Sequence, residues 1–66
     1  MIDTLPFKIG DLIWIDDKVF GVEWITYDFK KSEYFLLGVD AFGIIQEYQM
    51  SARAIANRIK KSKDNK

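Results

Sequence analysis

The sequence has no cysteine and no histidine, and Pro6 is its single proline. Without cysteine no disulfide can staple so small a fold, and the usual zinc ligands are missing. The absence of histidine also removes the side chain that most often acts as a general base near neutral pH. Ser32 and Ser51 fall in a loop and at a helix start, where turn and capping roles account for them. We therefore expect no enzyme activity, no metal and no cofactor.

Long apolar runs and targeting patterns are also missing. Unbroken apolar stretches such as residues 12–15 are far shorter than the about 20 residues of a membrane span. The first residues have neither the basic nor the apolar region of a signal peptide. We expect no membrane partner and a cytoplasmic location, with which the lack of cysteine is compatible.

Charge is balanced overall and divided along the chain. The 66 residues carry ten basic and ten acidic side chains. Residues 1–52 hold four basic and nine acidic side chains, a net of −5, whereas residues 53–66 hold six basic and one acidic, a net of +5. Such a division can indicate a charged partner. Basic residues also favour the C-terminal end of a helix, where they meet the negative end of its dipole.

Short apolar and alternating runs predict four strands. They cover residues 11–16, 19–27, 33–40 and 44–50. In the second run Phe20, Val22 and Trp24 share one face by the two-residue period of a strand. We take Phe20, Trp24 and Phe35 as core residues. Gly21, opposite the bulky row, predicts a bulge or a bend.

Turn residues separate the predicted strands. Asp16 and Asp17 form a polar break short enough for a hairpin. Gly43 ends the segment 40–43 and is the natural left-handed residue of a G1 bulge. These positions predict an antiparallel arrangement of consecutive strands.

The apolar period changes from two to about 3.6 after the fourth strand. Ser51 is a suitable N-cap. The apolar positions that follow, at spacings of three and four residues, are Ala52, Ile55, Ala56 and Ile59. They predict an amphipathic helix over residues 52–61 that docks on the sheet. Residues 62–66 predict a flexible tail, and residues 1–66 are expected to form one domain.

Two segments of the sequence resemble the start of an SH3-like barrel. They are KIGDLIWI at residues 8–15 and KVFGV at residues 18–22, where a glycine permits a sharp bend. The resemblance covers residues 8–50. It implies a mainly β fold of the α+β type, a small, strongly bent antiparallel sheet or barrel of four to five strands with one C-terminal helix. The motifs of signalling SH3 domains are absent from the sequence, so recognition of PxxP peptides is not implied.

The ten aromatic residues are too many to lie all inside so small a domain. Tyr27 and Phe29 flank Lys30 and Lys31, and Tyr34 follows. We call these five residues the aromatic loop and predict that it binds a partner. Rings mixed with lysines suit a protein interface with a charged rim, and they also suit base stacking with phosphate contacts. Packing over an open end of the sheet would explain them without any partner.

Three functional hypotheses remain open. The first is a non-catalytic protein-interaction or regulatory module whose acidic strands steer it to a basic partner surface. A small domain without cysteine or catalytic residues resembles proteins of phages and mobile elements that bind host factors. The second is a nucleic-acid-binding barrel whose phosphate contacts are Arg53, Arg58, Lys60 and Lys61. The third is a homodimer or structural subunit with aromatic side chains buried between copies.

Overall fold

The fold is mainly β, with five antiparallel strands in one sheet and one short helix. The computed structural model describes residues 5–61. The strands are β1 (Leu12–Ile15), β2 (Lys18–Asp28), β3 (Glu33–Val39), β4 (Ile45–Ser51) and β5 (Ile59–Lys60), and the helix α1 is Ala52–Arg58. The strand order is β4-β3-β2-β1-β5. Because β4 and β5 are its two edges and do not pair within the described residues, the sheet is not closed into a barrel.

The β1–β2 hairpin has the predicted tight turn. Ile15 pairs with Lys18, so the loop contains two residues only. Asp16 and Asp17 both have positive φ angles, 51° and 70°. Two successive positive φ angles define the type I′ turn that matches the twist of antiparallel strands, and aspartate tolerates this conformation better than most residues.

The β3–β4 turn confirms the prediction for Gly43, whose φ angle is 78°. The Gly43 N–H donates to the Asp40 carbonyl at 3.0 Å, and the Asp40 N–H donates to the Ile44 carbonyl at 3.0 Å. These bonds close a turn followed by a left-handed residue, as in a G1 bulge. A side chain at this position would be strained by the positive φ angle.

A β-bulge in β2 shifts its side-chain pattern. The register with β3 changes between Val22 and Trp24. We predicted a bulge or a bend at Gly21, and the observed bulge lies further along the strand, after Val22. Val22 is buried, whereas Trp24 has moved to the opposite face and is exposed. The prediction of Trp24 as a core residue is therefore wrong. The bulge is the physical reason, because an inserted residue reverses the alternation beyond it.

The core lies on one face of the sheet and confirms Phe20 as an interior residue. The buried side chains are Phe7, Ile13, Ile15, Phe20, Val22, Tyr34, Leu36, Met50, Ile55 and Ile59. In β3 the buried side chains alternate as Tyr34 and Leu36, with Gly38 also buried on the same face. Phe35 consequently faces the other side, which contradicts its assignment to the core.

Helix α1 begins as predicted and ends earlier. The Ala54 N–H donates to Ser51 Oγ at 3.2 Å, which confirms the N-cap. The helix ends at Arg58, whereas we predicted a helix over residues 52–61. Ile59 has extended backbone angles and pairs with Ile15, so the chain adds a strand at the free edge of β1. Pairing with this edge and burial of Ile59 outweigh continued helix formation.

The apolar stripe of α1 is narrower than predicted. Ile55 and Ile59 are buried, but Ala52 and Ala56 are exposed, and Ala54 packs against the core instead.

Each predicted boundary of the first four strands lies within one residue of the observed boundary. The predicted tail, residues 62–66, lies outside the described residues.

Candidate functional site

The aromatic loop joins β2 to β3 and is held by a carboxylate. The Asp28 Oδ1 atom accepts hydrogen bonds from the backbone N–H groups of Lys30 and Lys31, at 3.0 and 3.4 Å. Both lysine side chains are exposed. Ser32 completes the turn with a φ angle of 55°. The loop therefore has a defined backbone and presents two ammonium groups to solvent.

The three rings of the aromatic loop are packed on one another. The Tyr27 ring lies 4.8 Å from the Phe29 ring in an edge-to-face arrangement and 4.7 Å from the Tyr34 ring. Tyr34 is only 7% exposed and Tyr27 is half-buried, whereas Phe29 is 75% exposed. Tyr34 thus supports the loop from the core, and the aromatic surface that a partner can reach here is chiefly Phe29.

Of the four basic residues predicted to contact nucleic acid, Arg58 is the most tightly engaged. Its Nε donates to both carboxylate oxygens of Asp16, at 3.1 and 3.0 Å, and its Nη2 donates to Oδ2. Its backbone carbonyl also accepts from the Asp16 N–H at 3.0 Å. The guanidinium hydrogen bonds lower the pKa of Asp16, and the carboxylate raises the pKa of Arg58. These hydrogen bonds between Arg58 and Asp16 hold the end of α1 against the β1–β2 turn.

The other three basic residues are spread over separate elements. Lys61 Nζ lies 3.7 Å from Asp11 Oδ2. Arg53 is exposed on α1, and Lys60 is exposed on β5, where it pairs in register with Trp14. Two of the four cations are therefore already matched by carboxylates.

A second apolar surface lies on the face of the sheet opposite the core. We call its five residues, Leu12, Trp24, Leu37, Val39 and Ile45, the outer-face patch. Leu12, Trp24 and Ile45 are 56%, 54% and 67% exposed. Leu37 pairs in register with Trp24, and Val39 pairs with Ile45, so neighbouring side chains are within contact reach across the strands.

The outer-face patch contains a notch of about 140 Å³. Its walls are Leu37, Val39 and Ile45, with the backbone at Gly38 beneath and Glu23 at one side. A cavity of about 150 Å³ lined by apolar side chains holds a benzene molecule. The notch is therefore large enough to receive one apolar side chain.

A larger cleft, of about 460 Å³, lies between the β1–β2 and β3–β4 turns. Its lining includes Asp17, Lys18, Phe42 and Tyr48. The walls carry groups of both charge signs, and the exposed Phe42 ring stands at the turn. The cleft offers no single dominant chemistry for a ligand.

Asp40, on the wall of this cleft, is engaged within its own hairpin. Its Oδ1 accepts from the Phe42 and Ile44 N–H groups at 2.8 and 3.0 Å, and its Oδ2 accepts from Gln46 Nε2 at 2.9 Å. The bond from Ile44, followed by that from Gln46, lowers the pKa of Asp40. Its carboxylate shapes the turn.

We expect acid to weaken the fold through Asp40. Because the pKa of Asp40 is lower in the folded chain, its stabilising effect is complete above the usual value of about 3.9 and is lost as the pH falls through the folded-state pKa. Urea midpoints measured from neutral pH down to pH about 2 should decline less for Asp40→Asn than for the native chain. Part of the decline remains, since the pKa of Asp16 is also lowered. Equal declines would contradict the role of Asp40.

Sequence reasoning missed the outer-face patch because it assumed unbroken alternation in β2. One signal was present. The apolar positions change from even numbers, Phe20 and Val22, to odd numbers, Ile25 and Tyr27. This change of phase marks the bulge and sends Trp24 outward.

Two further properties concern residues 5–61. No helix in this range has the length and apolar character to cross a membrane. Across the same residues, no group of three or more acidic side chains is placed to hold a metal ion.

Comparison with known proteins gives no match among family models, curated proteins or solved structures.

Proposed function

We propose that the protein is a non-catalytic protein-interaction module and that the outer-face patch is its main contact surface. The observation that carries this proposal is the exposure of Trp24 and Ile45 on a sheet face that no described element covers. A helix, β5 and the N-terminal segment cover the other face, where Phe7, Ile55 and Ile59 are buried. Apolar side chains therefore lie on both faces of the sheet, and within residues 5–61 only one of the two faces is covered.

The composition of the outer-face patch supports a protein partner. Contiguous apolar surface on a small protein commonly marks an interaction site. Tryptophan is among the residues that contribute most to binding when an interface buries them. Trp24 lies near the middle of β2 and pairs in register with Leu37 on the neighbouring strand.

The aromatic loop is proposed as a secondary contact. Phe29, Lys30 and Lys31 are exposed and form a hydrophobic anchor with a basic rim. Tyr27 and Tyr34 hold Phe29 in position through ring packing. This loop carries charge opposite to the acidic majority of residues 1–52.

The SH3-like relationship of residues 8–50 stays a proposal as well. It is supported by the four consecutive antiparallel strands β1 to β4, which cover most of this range.

Selection of random peptides displayed against the immobilised full chain tests the proposed function. We expect peptides to be enriched by the native chain and to lose most of their binding to Trp24→Ser and Ile45→Ser. Loss of a central tryptophan contact costs about 2 kcal/mol or more, which corresponds to about a 30-fold weaker affinity. Phe42→Ser removes an exposed ring at the β3–β4 turn, outside both proposed contacts. It serves as the matched control and should retain most of the binding.

Three results would contradict the proposal. One is a selection without enrichment, and another is enrichment that both outer-face variants retain. The third is binding of a DNA or RNA oligonucleotide that weakens steeply with salt and disappears in Arg53→Gln or Lys60→Gln, which would favour the nucleic-acid hypothesis. Thermal melting of each variant verifies that it is folded.

A further inference from the structure

The outer-face patch is bordered by carboxylates. Glu47 pairs in register with Leu37, which itself pairs with Trp24, so Glu47 continues this row across the sheet. Glu23, at the bulge, is exposed and lines the notch. In the described residues neither glutamate takes part in a salt bridge.

The rest of this face carries little positive charge. The next row, Thr26, Phe35 and Gln49, is uncharged, and the row beyond it brings Asp28 opposite Glu33. Lys60 lies at the far side of the sheet on β5, beyond β1. Glu23 at the notch and Glu47 beside Leu37 are therefore the charged side chains next to the apolar residues of the patch.

We infer that the outer-face patch binds a basic amphipathic segment of a partner protein, which places one aliphatic or aromatic side chain in the notch and a neighbouring lysine or arginine beside Glu23 and Glu47. This inference rests on the proposed function and specifies the partner. The notch volume fits one side chain. Glu23 on its wall and Glu47, which pairs with Leu37, favour an adjacent cation.

Charge complementarity favours this occupant over a second copy of the chain. Two outer faces brought together would place apolar surfaces carrying Glu23 and Glu47 against the same surfaces. Like charges held together in an interface oppose association. A partner segment with lysine or arginine removes this repulsion.

Three synthetic amphipathic peptides of identical apolar content test the inference, with lysine, glutamine or glutamate at every polar position. Binding to the full chain is followed by NMR amide shifts and by tryptophan fluorescence. We expect the lysine peptide to bind most tightly, to shift the amides of Trp24, Leu37 and Ile45, and to weaken as salt is added. The glutamate peptide should bind least.

Single-charge variants locate the electrostatic contribution. Glu47→Gln should weaken binding of the lysine peptide by about two- to fivefold, the range for exposed ion pairs, and leave the glutamine peptide nearly unchanged. Asp17→Asn, which removes the same charge in the β1–β2 turn, is the matched control and should have a smaller effect. Ile45→Ser should weaken both the lysine and the glutamine peptide.

The possible failures are distinguishable. Equal binding of all three peptides at the outer-face patch would overturn the basic partner and leave the proposed function standing. Absence of binding by any peptide, or shifts elsewhere on the chain, would overturn both. Sedimentation experiments could also show a dimer that the Ile45→Ser substitution abolishes. That result would overturn the basic partner, because a second copy of the chain would cover this face.

Discussion

Replacing Gly38 with alanine is expected to remove much of the stability of the fold. An added Cβ at this buried position would lie 2.6 Å from Phe20 Cζ and would overlap the backbone carbonyl oxygen of Gly21. The Phe20 ring is almost completely buried, and Gly21 belongs to the central strand of the sheet. Neither can move without disturbing the β2–β3 pairing.

The magnitude follows from the size of the protein. Overpacking a filled interior costs about 1–3 kcal/mol and more where the backbone must shift. The core of a domain of this length rarely supplies more than about 3–5 kcal/mol of stability. Circular dichroism and urea unfolding measure the loss.

Gly21→Ala is the matched control for Gly38→Ala. Its Cβ would make an ordinary contact, 3.5 Å from Val39 Cγ2. The two glycines lie on adjacent strands. Alanine at position 21 therefore measures the effect of the substitution on strand propensity, and alanine at position 38 adds the effect of the steric overlap. Similar stability of the two variants would show that the close approach at Gly38 does not exist in solution.

The second large expected effect is a loss of about 2–5 kcal/mol for Ile55→Ala. Ile55 is the one buried residue of α1, at 2% exposure. A helix of seven residues cannot persist alone in water, so its docking depends on this side chain. The variant should melt far below the native chain and lose the Arg58–Asp16 contact.

Ile44→Ala makes the same chemical change at an exposed isoleucine next to the β3–β4 turn. It should change the free energy of unfolding by less than about 0.5 kcal/mol, as is usual for surface substitutions. An Ile55→Ala variant as stable as Ile44→Ala would mean that α1 is not docked on the sheet.

The features that were predictable from the sequence depend on local chemistry. Asp16, Asp17 and Gly43 occupy left-handed positions for which their side chains are suited, and they identify two hairpins. Ser51 identifies the start of α1 through a bond to a residue three positions away. Strand boundaries followed from the positions of such turns.

The features that were missed depend on contacts distant in sequence. The bulge between Val22 and Trp24 exists only relative to the register of β3, so counting along β2 could not place it. Ile59 lies in a strand instead of the predicted helix because it pairs with Ile15 at the edge of β1, more than forty residues earlier in the sequence. Since Trp24 depends on the bulge, the outer-face patch was missed with it.

The outcome for the aromatic loop has the same origin. Tyr34 was grouped with Phe29 because the two are close in the sequence. In the structure Tyr34 lies in β3 and is buried, whereas Phe29 lies in the loop between β2 and β3 and is exposed. Strand parity in β3 buries Tyr34 beside Leu36. Phe29 lies outside both strands, so the alternation of strand side chains does not bury it.

The pairing of β5 with β1 has a consequence for the order in which the chain closes. The strands β1 to β4 pair consecutively through short connections, whereas β5 pairs with β1, from which most of the sequence separates it. Closing so long a loop costs more entropy than forming a hairpin, and β5 itself contributes two residues of strand pairing. We therefore expect the pairing of β5 with β1 to form last and to open first, so that amide hydrogens in β5 exchange with solvent before those in β2 and β3.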